Sequence, residues 1–263
     1  MPVSCPIPLR VLSQEEFGEL SFEVMRDVFA IHNSLGRLFD ESIYKHALAA
    51  RRRDVMLEVP IDVSFGSFSK RYFMDVLAQG GGVFEFKTVD GIAPRHKAQL
   101  IHYLLLTGLK HGMLVNLRGD QVEREFMNAT FTLEERQCFS VETGAWTDSV
   151  SGATQMRETL LAILNDWGTC LELPLYNEAL THLLGGEPNV LRMTEIRLDG
   201  VSVGTQLFRQ VSDGVAFKLT AFEAEESLER FAAAARRMVA CASLQALLWV
   251  NIARHRITFV TLQ

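Results

Sequence analysis

Residues 74–87 read MDVLAQGGGVFEFK, which sets Asp75 and a Glu85-x-Lys87 triplet on either side of a glycine turn. A hairpin turning at Gly80 brings together residues whose numbers sum to about 160, so Asp75 faces Glu85 across two strands. Side chains alternate along a strand: Glu85 and Lys87 share one face, and Phe84 and Phe86 point the other way into a core. Carboxylates held opposite each other repel, and one of them gains a proton unless a cation lies between them. A divalent ion is the expected cation. Two acids, a metal and a lysine on one face suit hydrolysis, in which the metal acidifies a bound water and the lysine orients it or offsets charge in the transition state.

Helices must carry the remaining parts. Ser13 and Glu16 have capping-box spacing, and Val24, Val28, Ile31 and Leu35 then recur at helical intervals until Gly36. A second helix starts near Phe39. On it Glu41, Tyr44 and Leu48 fall on one stripe, which turns the Glu41 carboxylate inward. LEVPIDV alternates as a half-buried strand, with Glu58 and Asp62 on its outer side. Phe73, in the strand that carries Asp75, is expected in the core. Pro94 opens a helix closed by Gly108, and it places Gln99 and Tyr103 four residues apart on one face. MLVNL and VEREFM then complete a unit of order ααβββαβ with one further strand.

The chain of 263 residues is 48% hydrophobic and 22% charged, a globular balance. No leader segment or long apolar run is evident, so a cytoplasmic protein without membrane contact is expected. Cys5, Cys138, Cys170 and Cys241 are too scattered for a disulfide framework or a C-x-x-C metal site. The net charge of −6, concentrated in the second half, argues against nonspecific coating of nucleic acid but leaves room for a local site. Arg51, Arg52, Arg53, Lys70, Arg71, Arg95 and Lys97 flank the site segments and fit either a solvated surface or a phosphate-contacting rim.

Glu41 on a helix, Asp75 on a strand, Glu85-x-Lys87 on the next and Gln99-xxx-Tyr103 on the following helix resemble the PD-(D/E)XK nuclease superfamily, in its RecB-like branch. LGRLFDESIYKHAL and APRHKAQLIHYLLLTGLKHGMLVNL look more narrowly like the GxxExxY protein family, over roughly residues 20–128. The motif glycine of that family falls on Leu38, while Glu41 and Tyr44 are kept. Met74 stands in place of the superfamily's proline. The resemblance implies an α/β restriction-endonuclease-like fold, a central mixed sheet flanked by helices. It implies Mg²⁺ or Mn²⁺ held by Asp75, Glu85 and Glu41, with Lys87, Gln99 and Tyr103 completing the catalytic set. The substrate would be nucleic acid, DNA ahead of RNA. The alternative is a noncatalytic nucleic-acid-binding or assembly subunit, and a protein partner or homo-oligomer is compatible with either.

Residues 29–48 align on 161–180 with Ala30, Ile31, Asn33, Gly36, Tyr44, Ala47 and Leu48 identical to their counterparts. Phe86-Lys87 finds Phe217-Lys218, and Val115-Asn116 finds Val250-Asn251. A tandem pseudo-repeat accounts for these matches. The expected organisation is a nuclease-like domain at 1–130, a connector at 131–150 and a degenerate second domain at 151–263. In that alignment Glu41 falls on Leu173, Glu85 on Ala216, Lys87 on Lys218 and Asp75 near Gln206, so the second copy lacks the acidic ligands.

Overall fold

The computed structural model describes residues 3–263 and divides into two units, the first formed by residues up to 64 together with 69–132, the second by 65–68 and 133–263. The first unit runs β1 (Val3–Ser4), α1 (Gln14–Leu35), α2 (Glu41–Arg51), β2 (Val55–Phe65), β3 (Phe68–Ala78), β4 (Gly82–Lys87), α3 (Pro94–Thr107), β5 (His111–Asn116) and β6 (Glu123–Asn128). Its strands form one sheet in the order β1-β2-β3-β4-β5-β6. β4 pairs antiparallel with β3 and, across the α3 crossover, parallel with β5. β4 is therefore an interior strand, and Val83 through Phe86 are all buried.

Local chemistry marks the ends of α1 and α3. Ser13 and Glu16 exchange both capping hydrogen bonds at the start of α1. Gly36 ends the helix at φ +73°, where its amide donates to the His32 carbonyl at 2.7 Å. Phe17, Leu20, Val24, Val28 and Ile31 form the buried stripe between, and with Tyr44 and Leu48 of α2 they cover Phe84 and Phe86. Burial of each such side chain contributes about 1.5–3 kcal/mol. Pro94 stands in the first turn of α3, and Gly108 closes that helix in the left-handed conformation. On the opposite strand Gly112 lets α3 approach closely, because a Cβ there would lie 2.9 Å from Leu100.

The β3–β4 turn sets the register. Gln79 and Gly80 have φ of +48° and +68°, the Gly81 amide donates to the Ala78 carbonyl at 3.1 Å, and the three-residue loop leaves Ala78 paired with Gly82. The Arg10 amide donates to the Gly80 carbonyl at 2.9 Å, and a Cβ on Gly81 would sit only 2.2 Å from the Arg10 carbonyl oxygen.

One local expectation fails. Phe73 is 45% exposed, and Met74 takes the buried place instead; recorded β3–β4 pairing begins at Val76, so Phe73 lies beyond it. Along β2 the expected alternation holds: Val59, Ile61 and Val63 are buried, and Glu58 is exposed although its φ is +49°.

The second unit comprises α4 (Leu133–Gln137), β7 (Ser140–Ala145), α5 (Ala153–Trp167), α6 (Leu173–Leu183), α7 (Glu187–Val190), β8 (Leu191–Leu198), β9 (Val201–Ser212), β10 (Val215–Thr220), α8 (Glu225–Cys241), β11 (Ala246–Ile252) and β12 (Arg256–Leu262). Its sheet order is β7-β12-β11-β10-β9-β8. Residues 131–150, expected as a connector, instead hold α4 and β7, and β7 is the edge strand paired parallel with β12. Nothing in the apolar spacing of that stretch announces an edge strand whose six residues are all exposed.

From β3 to β6 the successive pairings are antiparallel, parallel and antiparallel, and β9 to β12 repeat them. Two side-chain interactions also recur. The Tyr44 hydroxyl donates to the Gly36 carbonyl at 2.7 Å, and Tyr176 to the Gly168 carbonyl at 2.6 Å. Asn116 brackets Val89, accepting from its amide at 3.1 Å and donating to its carbonyl at 2.8 Å; Asn251 does the same to Phe222 at 2.8 and 2.9 Å. No helix among the described residues is long and apolar enough to cross a membrane.

Candidate active site

The turn at Gly80 places the two acids as the parity of the hairpin requires. Val76 pairs with Phe84, so Asp75 and Glu85 are the next opposed positions. Oδ2 of Asp75 accepts from the Phe86 amide at 2.9 Å, which fixes the carboxylate over β4. Lys87 Nζ lies 2.6 Å from Oε1 of Glu85 and 3.7 Å from Oδ2 of Asp75. Glu85 is fully buried, and its Oε2 has no hydrogen-bond partner. An unpaired buried carboxylate oxygen is costly, and such groups concentrate where a ligand or ion is to bind.

α2 supplies the rest of the cluster. Lys45, one turn after Glu41, is buried and reaches Asp75 Oδ1 at 3.0 Å and Glu41 Oε1 at 3.1 Å. It also pairs with Glu58 of β2. Lys45 and Glu58 are site residues that the sequence reading passed over. The signal for Lys45 was present: positions 41, 44, 45 and 48 share one helical stripe, so a lysine at 45 must enter the same interior as Glu41.

The electrostatics follow from this crowding. Burial pushes the Glu85 carboxyl up to about 8, and the adjacent Asp75 charge adds to the effect while Lys87 opposes it. Burial and the Asp75 charge likewise raise Glu41. Burial alone would make Lys87 less basic, but the Glu85 carboxylate, with Asp75 and Glu41, raises it above its ordinary value. Lys45 is raised by Glu58 and Asp75 against the same desolvation. Both lysines are therefore cations near neutral pH.

Glu41, Glu58, Asp75 and Glu85 set four carboxyl groups against two ammonium groups. When all are ionised the surplus equals the charge of one divalent ion. Hard carboxylate oxygens and the unpartnered Oε2 of Glu85 suit Mg²⁺ or Mn²⁺. Among the described residues no three His, Cys, Asp or Glu side chains converge as a metal cluster, and Lys45 and Lys87 are the cations paired with Asp75 and Glu85.

Gln99 and Tyr103 form a pair of their own on α3, with the Gln99 amide donating to the Tyr103 hydroxyl at 2.9 Å. The bonds within the carboxylate cluster join Glu41, Lys45, Glu58, Asp75, Glu85 and Lys87. The basic rim is partly committed. Arg52 is held by Asp54, Glu23 and Asp27, Arg71 by Asp62, and Lys97 by Glu125.

Residues 18–128 match the family model of the PD-(D/E)XK nuclease superfamily. That span contains Glu41, Asp75, Glu85, Lys87, Gln99 and Tyr103, and members of the superfamily are typically divalent-metal nucleases that hydrolyse phosphodiesters. No curated protein matches the chain. Among solved structures, that of SSO0001 is similar at 20% identity, over 44% of this chain, with a TM-score of 0.29. The chain spans 63% of the length of that protein.

Lys87 pairs with Asn116 and Thr220 with Asn251, the two bracketing asparagines. Equating these asparagines sets Lys218 against Glu85 and Thr220 against Lys87, two residues from the matches that the aligned sequences give. Leu77 pairs with Val83, and Gln210 with Ala216, so the same equation sets Phe208 against Asp75. Leu173 and Glu41 each begin an eleven-residue helix, in agreement with the aligned sequences.

Proposed function

We propose that the first unit is a metal-dependent nuclease, acting on DNA ahead of RNA, with Mg²⁺ or Mn²⁺ held by Asp75 and Glu85 and assisted by Glu41. The observation that carries this reading is the unpartnered Oε2 of Glu85 beside Asp75 and Lys87. When bound, the ion would supply an acidified water and charge stabilisation at the phosphoryl oxygens. Lys87 holds Glu85 in place and presents a fixed positive charge toward developing negative charge. Lys45 keeps Asp75 and Glu41 aligned despite their repulsion. Gln99 and Tyr103 form the hydrogen-bonding pair assigned to substrate positioning. Glu41 and Tyr44, at the spacing of the GxxExxY pattern, support the narrower resemblance within the superfamily.

The second unit is in this reading a degenerate copy, supported by the repeated Tyr–Gly and Asn-bracket interactions. A noncatalytic nucleic-acid-binding or assembly role is favoured by one observation, the neutralisation of much of the cluster by its own lysines. Incubation with single- and double-stranded DNA and RNA, in Mg²⁺, Mn²⁺ or EDTA, separates the two readings. Metal-dependent cleavage lost in Asp75→Asn supports the nuclease, and binding without cleavage under every condition supports the alternative.

A further inference from the structure

The position in the second unit that corresponds to the candidate active site has exchanged acids for a cation. Lys218 stands for Glu85, Phe208 for Asp75 and Leu173 for Glu41, so none of these three positions offers a carboxylate to a divalent ion. The surface around Lys218 is nevertheless concave. A cleft of about 300 Å³ is walled by Phe208, Phe231 and Met238, and a second of about 550 Å³ passes Leu173 and Thr220. Lys218, Arg209 and Asn177 line both, with Glu178 on the rim of the wider one. Lys218 is exposed and makes no ion pair among the described residues. Arg209 donates from Nε to Thr181 Oγ1 at 3.2 Å, a bond that anchors the guanidinium without using its terminal nitrogens.

The geometry points to a nucleotide-phosphate site in the second unit, with the phosphate on Lys218 and Arg209 and the base or sugar against Phe208, Phe231 and Met238. Two cations, neither in an ion pair among the described residues, favour an anion, and Arg offers the fork that phosphate oxygens accept. The adjoining aromatic and thioether wall gives an apolar surface for a ring, at a volume within the usual range of small-ligand pockets. A free metabolic carboxylate would use the cations and leave that wall uncovered. The site requires neither a metal nor turnover in the first unit.

Titration of the full chain in EDTA with dAMP, deoxyadenosine and inorganic phosphate, followed by backbone amide NMR, tests the assignment. Saturable dAMP binding is expected, with shifts centred on residues 201–220 and 225–241. Affinity should exceed that for either fragment, and Lys218→Gln should weaken it by about tenfold or more. Phe231→Ala should also weaken it, with thermal melting establishing that each variant is folded. Absent saturation, shifts centred elsewhere, or unchanged affinity in folded Lys218→Gln would overturn the site. Equal affinity for dAMP and inorganic phosphate would overturn its nucleotide character. Because metal and cleavage are excluded, failure here is distinguishable from failure of the nuclease reading.

Discussion

Glu85 and Lys87, two residues apart on one face of β4, meet at 2.6 Å through a single carboxylate oxygen while the other oxygen has no partner. A fully buried acid satisfied on one side only retains its proton into the alkaline range, and its carboxyl is pushed up to about 8. Between its ordinary value of about 4.3 and that point, the folded chain holds a proton that the unfolded chain releases. This contribution therefore falls as pH rises from about 5 to 8. Glu85→Gln should flatten the profile and leave the variant more stable than the parent at pH 8.5, by on the order of 2 kcal/mol, with little difference at pH 4.5. Denaturant midpoints at both pH values check this, and parallel profiles would contradict it.

Lys45 is the cation that neutralises the helix side of the cluster. Lys45→Met should destabilise the chain by about 3 kcal/mol at neutral pH, because Asp75 is left buried beside Glu41 without its partner. The double variant with Asp75→Asn should recover much of that loss. Additive effects in a double-mutant cycle would show that the two side chains do not act together.

Metal binding should depend on the strand carboxylates. Mn²⁺ titration followed by electron paramagnetic resonance should show one tight site, weakened by about tenfold or more in Asp75→Asn and in Glu85→Gln. Mn²⁺ affinity unchanged from the parent in both variants would place any bound ion elsewhere.

The recurring tyrosine should matter in both units. Tyr176 donates to the Gly168 carbonyl and accepts from the Leu171 amide at 3.4 Å, whereas Tyr44 has the glycine bond alone among those described. Tyr44→Phe should cost about 1 kcal/mol and Tyr176→Phe about 2, read from chemical denaturation. A neutral Tyr176→Phe would remove this hydroxyl from the stability of the second unit.

The facing of Asp75 and Glu85 was legible because a glycine turn and strand parity leave little freedom, and Val76 indeed pairs with Phe84. Ser13, Gly36, Pro94 and Gly108 marked their helix ends for equally local reasons. Lys45 was missed because lysine reads as a surface residue until three acids compensate its burial. Glu58 is exposed as the alternation of β2 requires, but its ion pair with Lys45 leaves no trace in that alternation. The Phe-Lys identity between the two halves suggested one strand alignment, and pairing with Asn116 and Asn251 imposes another. β7 was illegible for a different reason: an exposed edge strand buries too little to produce a pattern.

The central claim is that Lys87 acts on the reaction rather than on metal retention. Single-turnover cleavage of a labelled DNA oligonucleotide, at Mn²⁺ concentrations that give equal occupancy in both proteins, compares the parent with Lys87→Ala most directly. The parent should give metal-dependent product, and Lys87→Ala a rate lower by about 100-fold or more. An unchanged rate in Lys87→Ala, or no product from the metal-loaded parent, would contradict it.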